Sequence, residues 1–115
     1  MTSRSFPDDE NGDVLRRMQD SGDILTEARM VEYQHIFAAK LDAIAFLTEA
    51  ADEGVKVTID WYPDENCWNV QVARLMVPTH EDITAMEGRL DRMAKMHGGR
   101  ADGWGCFEVR RQSDF

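Results

Sequence analysis

The chain has 115 residues, 43% of them hydrophobic, and a formal net charge of −9. That suffices for one domain with an ordinary core and leaves little for a second. The acidic balance disfavours direct nucleic-acid binding, which needs a basic patch to neutralise phosphates.

The start of the chain turns acidic at once and has no apolar signal core, and no run approaches a membrane span. We therefore expect a cytoplasmic protein without membrane association. Cys67 and Cys106 each fall in a strand-like segment, which suggests reduced, half-buried thiols rather than a disulfide framework.

Residues 1–12 read as a disordered tail, 13–110 as a single domain and 111–115 as a C-terminal tail. Asp13 is the expected N-cap of a short helix, Val14 to about Asp20, which Ser21-Gly22-Asp23 ends. Arg29 to Phe37 alternates Val31, Tyr33, His35 and Phe37 against Met30, Glu32, Gln34 and Ile36, the period of a strand. A helix follows from about Ala39 to Glu53. Its expected buried stripe is Leu41, Ile44, Leu47 and Ala51, continuing from Phe37, with Gly54 as the left-handed exit.

Val55 to Trp61 alternates without a fault, Pro63-Asp64-Glu65-Asn66 is turn chemistry, and Trp68, Val70 and Val72 alternate on the way back. These strands predict a hairpin with Trp61 and Trp68 as a cross-strand aromatic pair. Thr79 caps the next helix, whose expected face is Ile83, Met86, Leu90, Met93 and His97, and Gly98-Gly99 stops it. The last strand is read as Asp102 to Arg110. A glycine-dense start there predicts a bulge or close-approach position.

The element order predicts an α+β, ferredoxin-like split β-α-β-β-α-β two-layer sandwich with an extra N-terminal helix. Both crossover helices then cover one sheet face. Glu32, Gln34, Thr58, Asp60, Asn69, Gln71, Trp104 and Glu108 are expected on the open face.

The search for chemistry is mostly negative. His35, His80 and His97 lack ligand spacing, and no Cys-x-x-Cys, Walker lysine motif or nucleophile elbow occurs. The acidic clusters sit in tails, helix ends and turns, where nothing shifts a carboxyl into acid–base range. We expect no catalytic residue, metal or cofactor. Trp104, between glycines, admits two readings: an indole packed flat over the backbone, or a partner-binding anchor. Asp102, Gly103, Trp104 and Gly105 are the candidate partner-binding residues.

Gly98-Gly99 followed by Asp102-Gly103-Trp104-Gly105 resembles the RraB family, the protein inhibitors of ribonuclease E. Gly22-Asp23, Arg29 and the alternating Val31, Tyr33 and Phe37 fit the same pattern, as do Gly54-Val55-Lys56-Val57 and Pro78-Thr79. The chain departs from it at Ala101, where an aromatic is common, and at Ala28. Arg110-Arg111 stand where the best-known members carry an acidic tail. The resemblance implies a ferredoxin-like fold, no cofactor, and action by binding a protein, ribonuclease E or a component of its degradosome, with no contact to RNA. A small-ligand sensor is the alternative, with Trp104 and Cys106 lining an open-face site. The polar open face predicts a monomer or weak homodimer.

Overall fold

A computed structural model describes residues 6–51 and 54–110. Residues 1–5 of the expected N-terminal tail, the whole expected C-terminal tail and the end of the second predicted helix, at Asp52 and Glu53, lie outside the described residues. Within them the order is α1 (Glu10–Asp20), β1 (Arg29–Phe37), α2 (Lys40–Ala51), β2 (Lys56–Tyr62), β3 (Cys67–Met76), α3 (His80–Met96) and β4 (Arg100–Cys106). The four strands form one antiparallel sheet in the order β2-β3-β1-β4, a mixed α+β two-layer sandwich.

Strand β1 has the predicted bounds, and its alternate side chains Val31, Tyr33, His35 and Phe37 are all buried. Val70 and Val72 of β3 stand beside them in register and are fully buried. Phe46 from α2, Ile83 and Leu90 from α3, and Leu15 from α1 close the same core. The hairpin forms as expected: Trp61 pairs with Trp68, their rings 5.0 Å apart and tilted, around a turn in which Asn66 takes a left-handed φ of 53°. Glu32, Gln34, Thr58, Asp60, Asn69 and Gln71 lie on the open face, where Asn69 donates to Gln34 and Gln34 to Gln71.

Three expectations are corrected. Helix α1 starts earlier than predicted, because Asp9, not Asp13, is the cap: its carboxylate accepts from the Gly12 N–H at 2.7 Å. That bond, then the one to His80, holds the Asp9 carboxyl below its usual range. Helix α2 buries Ala43, Phe46 and Ala50; of the predicted stripe only Leu47 packs, partly buried, against the core, and Leu41 is 80% exposed. Small alanines let the helix backbone approach the sheet around one large ring. Helix α3 keeps its Thr79 cap and buries Ile83, Met86 and Leu90, but Ala94 takes the last core position and His97 caps the end. Gly98 makes the left-handed exit at φ 82°, and a Cβ on Gly99 would overlap the Phe37 ring.

A buried ion pair ties the chain's loops to this sheet. Arg29 donates through Nη1 to both carboxylate oxygens of Asp23, at 2.8 and 2.9 Å; the side chains are 5% and 0% exposed. Arg29 also reaches the carbonyls of Ile24 (2.7 Å), Glu27 and Phe107. Asp23 accepts the Val109 N–H at 3.1 Å, beside a backbone bond from Ile24 to Val109.

Removing one member of a buried pair strands the other's charge, so Asp23→Ala should cost about 3–5 kcal/mol in denaturant unfolding. His35 generates a second expectation. Burial holds its pKa down at about 4, against 6.5 unperturbed, with Nδ1–H donating to the Val70 carbonyl at 3.3 Å. The unfolded chain therefore takes up the proton first as pH falls. Stability is fully present above pH 6.5 and declines towards pH 4, by about 3 kcal/mol from this group. Urea titrations across that window should show the decline, and His35→Leu should flatten it.

Candidate functional site

The site is built by an irregularity in β4. Tyr33 stands opposite Trp104 and His35 opposite Ala101, so Asp102 and Gly103 together face the single residue Gln34. This is a bulge, and Gly103 takes a φ of 105° there. One extra residue inverts the alternation downstream. Trp104 and Cys106 therefore share the helix-covered face with Tyr33 and Val31, and Gly105 lies opposite Glu32 on the open face. The predicted assignment of Trp104 to the open face is corrected accordingly. The strand also begins earlier, at Arg100, and ends at Cys106; Glu108 lies beyond it and pairs with Arg110 at 2.7 Å.

The Trp104 indole is half-buried against the core. Its Nε1–H donates to the Asn11 side-chain oxygen at 2.8 Å. The Asn11 amide in turn donates to Thr84 and Glu87 of α3, each at 3.1 Å. One asparagine thus satisfies the indole and binds α1, α3 and β4 together. Asp91 fixes the start of β4 by accepting the Ala101 N–H at 2.8 Å. Lys95, then this N–H, holds the Asp91 carboxyl below its usual range.

Between α1 and β4 lies a groove of about 560 Å³. Trp104, Asp102 and Gly103 line it, and Gly105 does not. The groove gathers Glu10, Glu87 and Asp102, with Arg17 as the opposing charge. Asp102 is exposed and stands 3.8 Å from Arg100. Such a surface suits the binding of a polar or basic segment around an aromatic wall. Asn11, Glu10, Val14 and Glu87 escaped the sequence reading. Asn11 and Glu10 fell in what read as tail, and no periodicity marks them; the acid at the expected cap three residues on was the more conspicuous signal.

The other reactive side chains are held in structural roles. His80 meets Asp9 at 2.9 Å and His97 meets Glu49 at 2.8 Å, each joining two helices or a helix end. Burial raises the Cys106 thiol pKa, which disfavours its thiolate. Among the described residues no group of three or more His, Cys, Asp or Glu side chains is placed to hold a metal ion, and no helix is long and apolar enough to cross a membrane.

Residues 8–106, nearly the whole chain, match the family model described as Regulator of ribonuclease activity B, RraB. Curated proteins give no match.

The bulge makes a clean prediction, because a Cβ at Gly103 or Gly105 would meet no atom of the described residues within 4 Å beyond its chain neighbours. Gly103→Ala should lose about 1–2 kcal/mol through its left-handed backbone alone. Gly105→Ala, at ordinary φ, should leave the melting temperature nearly unchanged.

Proposed function

Because the chain belongs to the RraB family, we propose that it restrains RNA degradation by docking on a ribonuclease, ribonuclease E or a component of its degradosome, and not on RNA. The family match is the observation that carries this reading. The −9 charge supports it, since the protein would repel a phosphate backbone and attract a basic protein segment. The sheet order β2-β3-β1-β4 with α2 and α3 on one face supports reading the sandwich as ferredoxin-like, with α1 added over the β4 side. The cytoplasm, where RNA is degraded, is the compartment that fits such a role.

The groove between α1 and β4 is the proposed docking site. Trp104 supplies a rigid aromatic wall and Asp102 an exposed charge at the rim, and the bulge at Gly103 turns both towards α1. Gly105 faces away and takes no part in this contact. Inhibition follows from occupancy: a docked protein covers nuclease surface without any bond being made or broken.

The test is RNA cleavage by purified ribonuclease E, full-length, with increasing amounts of this protein. Wild type should slow cleavage. Asp102→Arg, at an exposed position, should leave melting unchanged and weaken inhibition by about tenfold through like-charge repulsion of a basic partner. Unchanged cleavage with wild type, together with no capture of the nuclease, would remove the reading. Tight binding of the protein to RNA alone would do the same.

A further inference from the structure

The β2 end of the sheet is unfinished. β2 is an edge strand, seven residues long, with an unbroken register against β3 and no proline or bulge within it. Its outer backbone edge is the kind of surface that proteins ordinarily protect. We infer that β2 pairs with β2 of a second copy of this chain, in antiparallel register about Thr58.

The strand is self-complementary in that register. Two identical strands related by a two-fold axis through Thr58 place Lys56 opposite Asp60 of the other copy, twice. Lys56 and Asp60 are both exposed on the open face, and neither side chain has a partner among the described residues. On the helix-covered face Val57 meets Ile59, again twice. A slip that keeps the faces matched loses the charge pairing: centring on Ile59 sets Asp60 against Thr58, and centring on Asp60 sets like charges together. Opposite charges directly across a strand pair stabilise it, and like charges do the reverse.

Helix α2 supplies the second observation. One of its flanks turns towards the end of α3, where Glu49 meets His97 at 2.8 Å and Asp42 lies beside Gly98. Ile44 and Leu47 lie on the opposite flank, about half a turn round the helix. That flank overlooks the β2 edge, since α2 packs on β2 and β3. On this side Ile44 is 39% exposed and Trp61 42%, with no covering element among the described residues. With strands about 4.8 Å apart, joining the two edges brings the two α2 helices to roughly the 8–10 Å of packed neighbours. The apolar flank then broadens what would otherwise be a narrow strand contact.

Sedimentation of the isolated protein over a concentration series tests this without any nuclease, so its outcome is independent of the docking proposal. Wild type should show a reversible monomer–dimer equilibrium. Lys56→Asp and Asp60→Lys, singly, should each weaken the dimer by about tenfold, with melting of the monomer unchanged. The double variant, with the charges exchanged, should restore it. A protein that stays monomeric throughout, a dimer indifferent to both single changes, or a double variant no better than the singles would each overturn the inference.

Discussion

The Asp23–Arg29 pair is the constraint on which the arrangement of the chain depends. It sits where three segments converge: the loop after α1, the first residue of β1, and the stretch that follows β4. Two buried charges are costly, and their attraction offsets desolvation only when every remaining donor and acceptor is used. Here Arg29 serves carbonyls from Ile24, Glu27 and Phe107, and Asp23 takes the Val109 N–H. No apolar replacement could supply that set of directions. The pair fixes which residue begins β1 and where the chain goes after β4, so both neighbours of the bulge are held in register. Gly22 turns the chain at φ 101°, which lets the two charges close on each other.

The bulge gives that framework its groove. A regular β4 would have put Trp104 on the open face, far from α1. With Asp102 and Gly103 sharing one partner position, the indole instead meets Asn11 and becomes the wall of a groove. The two readings of Trp104 therefore converge. The ring is packed and hydrogen-bonded, and it also lines the cavity in which a partner is proposed to dock. Rigid anchors of this kind lose little side-chain entropy on binding. The same packing means that truncating the indole perturbs stability and docking together, whereas Asp102 at the rim separates the two.

Much of the fold was legible because alternation and capping are local signals. β1, the hairpin and the Thr79 cap follow from residues within a few positions of one another. The misreadings have specific causes. In α2, apolar residues occupy two stripes, and periodicity alone favours the larger ones; the chain buries Ala43 and Ala50 beside Phe46 because close approach needs small residues. In β4, the glycines signalled a bulge, but the face of every later residue depends on where the extra residue sits, and that is set by pairing with β1. The candidate site was legible only in its β4 half. Asn11 and Glu87 join it through contacts across more than seventy positions of sequence, which no local pattern encodes.

The two ends of the sheet are protected unequally, and this links the dimer to the groove. At the β4 end a bulge interrupts the strand, Asp91 of α3 holds its first residues, and α1 closes over Trp104 through Asn11. At the β2 end, Lys56 and Asp60 are the charged side chains of the strand that oppose indiscriminate pairing, and their spacing disfavours other registers while admitting a second copy of the same strand. A pair joined there forms one eight-stranded sheet from two four-stranded ones, with the helices of both copies on one side. The two grooves then lie at its far edges, both unobstructed. A nuclease that offers several docking segments could engage both, and the second contact would form at high effective concentration. Each groove could be individually weak and the assembly still hold, which is consistent with a site built from one aromatic wall and a few exposed charges.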